Sequence, residues 1–160
     1  MKLLAPKILF ILLIGYSKSI KAQQIIKHFT IEDGLPSNEV YFVHQDKSGC
    51  FWFCTDRGVS RYNGYEFTNY TTADGLSNNT VFKVFEDRSS NLWFTAVDGS
   101  VTIFNGASGK FSPFVFNPKL KESYAIQKWV SKIAFDAKTE NVYFFMEMTR
   151  ENDSVHVMKV

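Results

Sequence analysis

The chain repeats itself. With the segment from Asp33 laid over the segment from Asp74, Asp33-Gly34-Leu35 falls on Asp74-Gly75-Leu76, Asn38 on Asn79 and Val40 on Val81. The same shift brings Asp46 onto Asp87, Trp52-Phe53 onto Trp93-Phe94 and Gly58 onto Gly99. One residue is inserted near Ser100, after which Tyr62-Asn63-Gly64 matches Phe104-Asn105-Gly106. A period in the low forties with aromatic and glycine landmarks is the spacing of one four-stranded propeller blade.

Within each unit the pattern is that of strands. Glu39-Val40-Tyr41-Phe42-Val43-His44-Gln45 is rich in β-formers and ends at the turn Asp46-Lys47-Ser48-Gly49. Phe51 to Thr55 follows, then a turn at Asp56-Arg57-Gly58 into Val59 to Tyr62, then the hairpin signal Asn63-Gly64 before Phe67 to Tyr70. The apolar residues from Phe51 to Cys54 do not alternate with polar ones, which suits a sheet covered on both faces. Sixteen phenylalanines give material for such packing. After Phe114 the match decays. Ile133-Ala134-Phe135-Asp136 with its polar turn, Asn141 to Met146 and Ser154 to Val160 still read as three strands of a third unit lacking the Asp-Gly-Leu and Trp landmarks. The expected fold is all-β: an incomplete β-propeller of two clear four-stranded blades (residues 23–112) and a degenerate, truncated third (residues 113–160). Closed propellers have about four to eight blades, so the chain is read as the start of a longer product or a unit that assembles with copies of itself.

Residues 1–22 are a different material. Lys2 and Lys7 precede an apolar run from Ile8 to Ile14, then Ser17-Lys18-Ser19 leads to Ala22. That is the order of a signal peptide, and the run is short of the ~20 residues of a membrane-spanning helix. An uncleaved anchor is the competing reading, since Ile20 is not the small residue usual there. These residues hold four lysines and no acid, so their removal takes the formal net charge from +2 to −2. No basic stripe remains for nucleic acid. Cys50 and Cys54, four apart on one strand, lie ~13 Å from each other, too far for the ~7 Å limit of a disulfide. They read as small buried apolar residues.

The combined pattern resembles the two-component regulator propeller repeat. It runs Asp33-Gly34-Leu35-Pro36-Ser37-Asn38-x-Val40, then Gln45-Asp46-x-x-Gly49-x-x-Trp52-Phe53-x-Thr55-x-x-Gly58-Val59-Ser60-Arg61-Tyr62-Asn63-Gly64. It recurs through Asp74-Gly75-Leu76-Ser77-x-Asn79-x-Val81, Glu86-Asp87 and Trp93-Phe94. Cys54 stands where that family has glycine, and Ser90-Asn91 replaces the second turn glycine. The resemblance implies the periplasmic sensor region of a Bacteroidetes-type histidine kinase. Its partners would be a small ligand of the polysaccharide-fragment class, further blades and a downstream kinase.

Trp52 and Trp93, mid-strand in apolar runs, are expected in the core rather than stacked on a sugar. Asp46 and Asp87 are expected to bond turn backbone rather than calcium. Asn38 and Asn79, in loops before the first strand of each blade, are the expected ligand contacts at the channel mouth. No acid pair is held at glycosidase spacing, and Arg57, Arg61, Arg88 and Arg150 do not form the arginine cluster of a sialidase. The expectation is a non-catalytic sensing segment with no cofactor and no metal, exported to the periplasm or the outer face of the inner membrane. The alternatives are a stand-alone secreted binding module that oligomerises and a fragment of a carbohydrate-active propeller enzyme.

Overall fold

The computed structural model describes residues 26–122, 128–139, 141–148 and 156–159. The expected leader at 1–22 lies outside them. Two four-stranded antiparallel meanders and one three-stranded sheet follow in chain order. The first holds β1 (Val40–Gln45), β2 (Phe51–Thr55), β3 (Gly58–Tyr62) and β4 (Phe67–Tyr70). The second holds β5 (Val81–Glu86), β6 (Leu92–Ala96), β7 (Val101–Asn105) and β8 (Lys110–Pro113). The third holds β9 (Lys128–Phe135), β10 (Val142–Met148) and β11 (His156–Lys159).

Each sheet uses both faces. Trp52, Cys54 and Val59 leave one side of the first sheet and pack with Leu76, Val81, Val84, Leu92, Phe94 and Phe104 of the second. Phe53 and Tyr62 leave the other side and join Leu35, with Phe29, Val40 and Phe67 against them. Trp93 and Val101 repeat the first arrangement towards Val130, Ile133 and Phe144 of the third sheet. Sheets with two apolar faces must be covered by neighbours, and stacked copies of one unit do that. The fold is that of an incomplete propeller, with successive sheets as blades.

The loops entering blades 1 and 2 are superposable chemistry. Ile31–Asp33 and Thr72–Asp74 are 3-10 turns, each closed by a capping box from Thr30 or Thr71. Each ends at a glycine in the left-handed region, Gly34 at φ 112° and Gly75 at φ 107°. Leu35 and Leu76 then drop into the core.

The third blade departs from the pattern at its entrance. A short helix, α1 (Asn117–Glu122), replaces the 3-10 turn, and its fully buried Leu120 packs on Trp93 and Val101 as Leu76 packs on Trp52 and Val59. The helix was not anticipated, because six residues carry too little periodicity to announce one. The last strand of blade 2 runs through Pro113, one residue beyond the expected boundary, and β9 begins at Lys128, five residues before the expected Ile133. Tyr143 pairs with Ala134 as Trp52 pairs with His44 and Trp93 with Phe85, so Tyr143 takes the tryptophan's place in the third blade.

Candidate functional site at the channel mouth

The first strands of the blades meet one another and so mark the channel side. Each carries a bulge near its start: between Val40 and Phe42, between Val81 and Lys83, and opposite Phe145 and Met146 on β9. A bulge inserts one unpaired residue and re-aims its side chain. The residues so placed are Tyr41 and Phe82, at matching positions of the repeat, and Ser131. The Tyr41 and Phe82 rings meet edge to face at 5.1 Å, and Phe82 meets Trp129 in the same way at 4.8 Å. Three blades thus contribute one ring each to a continuous row, and Tyr41 remains 39% exposed.

Polar groups flank the row. Tyr41 donates its hydroxyl to Glu39 Oε1 at 2.7 Å. That bond, with the nearby charges of Glu39 and Asp56, holds the phenol above its ordinary range. Asp56 Oδ1 is buried without a hydrogen-bond partner, while Lys83 Nζ donates to Ser131 O at 3.1 Å. The mouth loops are stitched across blades: Gly58 N donates to Asn79 O at 2.7 Å and Thr80 Oγ1 to Asp56 O at 3.3 Å. Aromatic rings beside carboxylate acceptors suit a ligand with an apolar face and donating hydroxyl edges.

Asn38 and Asn79 do stand at this end of the blades, with a structural task. Asn38 Oδ1 accepts from Ile31 N at 3.0 Å and Asn79 Oδ1 from Thr72 N at 2.8 Å, tying each 3-10 turn to the strand it feeds. Asp33 and Asp74 accept from the backbone of Thr30 and Thr71 at 2.8 Å. The aromatic row was missed by sequence reasoning. Its signal was available: an aromatic residue follows the landmark valine in both clear repeats.

At the opposite end, Asp46 Oδ2 accepts from the Trp52 indole at 2.7 Å and Oδ1 from Cys50 N at 3.0 Å. Asp87 does the same with Trp93 at 3.0 Å and Asn91 N at 2.9 Å. Burial works to raise both carboxyls, and the bonds from Ser48 and Trp52, or Trp93 and Asn91, outweigh it and hold both below the usual carboxylate range. These acids are satisfied by the protein itself. Trp52 is fully buried and Trp93 nearly so. Gly99 is buried in the turn between β6 and β7, where its N–H donates to Ala96 O at 3.0 Å. Cys50 and Cys54 are free and buried, and burial pushes the Cys54 thiol well up. A cleft of about 420 Å³ opens here between blades 1 and 2, lined by Lys47, Arg61 and Glu86 among others. Among the described residues no group of His, Cys, Asp and Glu gathers as metal ligands would, and no helix is long and apolar enough to cross a membrane.

Residues 34–57 match the model of the two component regulator propeller family. No curated protein matches the chain. Among solved structures, the chain resembles the extracellular domain assigned to a hybrid two component system, BT3049, of B. thetaiotaomicron. The TM-score is 0.61 at 21% identity, over 79% of this chain and 19% of that one. It also resembles the extracellular domain assigned to a one component system, BT4673, of the same organism, with TM-score 0.57 at 17% identity over 86% and 18%. The chain therefore spans about a fifth of the length of the structures it matches. At such identities the likeness speaks for the fold, and the family match speaks for the repeat. Residues 34–57 thus match the two component regulator propeller repeat, and the sheets are blades of an incomplete propeller.

Proposed function

We propose that the chain is an extracytoplasmic ligand-sensing segment of a two-component signalling protein, non-catalytic in itself, whose ligand is a polysaccharide fragment taken at the channel mouth. The observation that carries the reading is the row Tyr41, Phe82 and Trp129 on three successive blades, in a fold shared with extracellular domains assigned to a hybrid two component system and to a one component system. A pyranose offers C–H faces to aromatic rings and hydroxyl donors to Glu39 and Asp56. Asn38 and Asn79 border the same mouth and supply further contacts. Packed blades pass a ligand's presence on as altered contacts at the rim to a downstream kinase, rather than by unfolding.

Calorimetric titration of the exported, purified chain with a panel of plant and host oligosaccharides tests this. At least one member binds, and Tyr41→Ala weakens it about tenfold or more, the loss of one well-placed ring contact, without change in the bound sugar. A panel with no binder, or binding indifferent to Tyr41→Ala and Phe82→Ala alike, refutes the site. Release of cleaved sugar would favour the enzyme reading.

A further inference from the structure

The cleft between blades 1 and 2 has walls from both blades, and most of its charges are already engaged. Asp46 accepts from Ser48 Oγ at 2.6 Å, from Trp52 Nε1 at 2.7 Å and from Cys50 N at 3.0 Å. Glu86 Oε2 accepts from Lys47 N at 3.2 Å and stands 3.3 Å from His44 Nε2. Lys47 Nζ donates to Asp87 O at 2.6 Å and lies 3.8 Å from Glu86 Oε1. Arg61 on β3 is the exception. Its Nη2 donates to a sulfur, Cys50 Sγ at 3.2 Å, and its Nε is buried without a hydrogen-bond partner. A guanidinium carries five N–H donors, and the protein gives this one a single weak acceptor.

Packing alone does not call for an arginine there. Arg61 pairs across the sheet with Trp52, its guanidinium 5.7 Å from the centre of the ring. Blade 2 puts Ile103 at the matching place opposite Trp93, so covering the tryptophan needs no charge. The blade 2 wall carries a second departure. Ser90 lines the cleft and holds a left-handed backbone at φ 62°, where the first repeat has Gly49. A residue kept in that conformation against the local preference is a mark of ligand sites, and the exchange adds a hydroxyl. Leu92 and Phe104 supply apolar lining. The volume of about 420 Å³ falls within the roughly 300–1,000 Å³ of small-molecule sites.

We propose that this cleft is a second binding site, for a carboxylate held by the Arg61 guanidinium of blade 1 and the Ser90 hydroxyl of blade 2. The planar anion replaces the thiol with two oxygens, in the paired hydrogen bonds that match a guanidinium fork. Charge selects the class of ligand. Of the two cations lining the cleft, Lys47 and Arg61, the arginine is the one without an oxygen partner. Asp46 and Glu86 border the same space, so a single negative charge is accommodated and a phosphate dianion is repelled. The carboxylate arrives on a sugar acid or as a small free organic acid. The cleft lies at the opposite end of the blades from the aromatic row, and the inference does not depend on that row.

Nuclear magnetic resonance on the purified chain, following the Nε–H of Arg61 and the indole N–H of Trp52, reads the site. Sodium glucuronate and sodium acetate are expected to shift both signals to saturation, while glucose and phosphate leave them in place. Glucuronate binding about tenfold or more tightly than acetate identifies the sugar acid as the source, and equal affinities identify the free acid. Arg61→Lys keeps the charge and loses the fork, and weakens glucuronate about tenfold or more as read at Trp52. Ser90→Gly weakens it about threefold or more while raising the denaturant midpoint, a combination that a purely structural serine does not give. Tyr41→Ala leaves it unchanged, which separates this site from the mouth. The proposal is overturned if neither carboxylate gives a saturable shift or if glucose or phosphate binds as well. Binding indifferent to Arg61→Lys or to Ser90→Gly overturns it too.

Discussion

Ser90 is the non-glycine residue with a positive φ, 62°, among those described. It stands three residues after Asp87, where Gly49 stands three after Asp46 with φ 90°. A left-handed conformation costs an L-residue about 1–2 kcal/mol, part of which glycine returns through its freer unfolded chain. Ser90→Gly is therefore expected to stabilise the chain by roughly 0.5–1 kcal/mol, seen as a higher denaturant midpoint with unchanged slope. A lower midpoint would show that the serine is not strained. The aspartates that open these turns set a pH dependence. The folded carboxyls of Asp46 and Asp87 lie below their unfolded value of 3.8, so the folded state binds the proton less readily than the unfolded one. Their contribution is fully present above that unfolded value and is lost as pH falls from there through the folded value. Melting should be flat from neutral pH to about 5 and fall steeply below about 4. Asp46→Asn with Asp87→Asn should lower stability at pH 7 by about 1–3 kcal/mol and flatten the acid limb, and thermal melts across that range check both.

At the scale of the strand and turn, the repeat was legible because its landmarks are answers to geometric demands. Gly58 has φ 118°, and a Cβ there would lie 2.2 Å from Tyr70 O, while its N–H reaches Asn79 of the next blade. No side chain satisfies those conditions at Gly58, whereas the sequence-matched Gly99 closes its own turn on Ala96 O at 3.0 Å. Gly58→Ala should cost about 2 kcal/mol or more, from the left-handed penalty together with the displaced strand β4. Urea denaturation measures it, and a loss under 0.5 kcal/mol would show that β4 gives way freely. The tryptophans, the Asp turns and the Asp-Gly-Leu loops were readable for the same reason. The helix at Asn117–Glu122 was not, because Leu120 does the work of Leu35 and Leu76 from a different local conformation. The aromatic row escaped notice because the bulges that turn Tyr41 and Phe82 into it are pairing irregularities, so the aromatic residue after each landmark valine did not by itself show where its ring would point. Asn38 and Asn79 were singled out for their loop position, and that position also gives their oxygens a turn to hold.

At the scale of the whole molecule, the apolar faces of each blade are covered by the neighbouring blade. Trp52 bonds its indole N–H to its own turn at Asp46, yet the rings it touches in blade 2 are Phe94, Phe104 and Phe111. Trp93 looks in turn to Phe114, Phe135 and Phe144. Polar links run the same way, His44 to Glu86 at 3.3 Å and Arg88 Nη1 to Ala137 O at 3.1 Å, but the exposed ones contribute little beside a buried indole. In a stacked array stability is a sum of unit terms and interface terms, and Trp52 belongs to the interface term. Trp52→Ala should therefore cost about 3–5 kcal/mol and be felt on both sides of the junction. Hydrogen exchange in β6 and β7 should quicken as much as in β2 and β3, since the second blade loses the cover of its own face. Arg88→Ala, which removes a polar rung and leaves the aromatic interface whole, should change stability by less than about 1 kcal/mol. Were Trp52→Ala to quicken exchange in the first blade alone, each sheet would be stable by itself, and the neighbour-dependent packing that makes this chain a propeller segment would not hold.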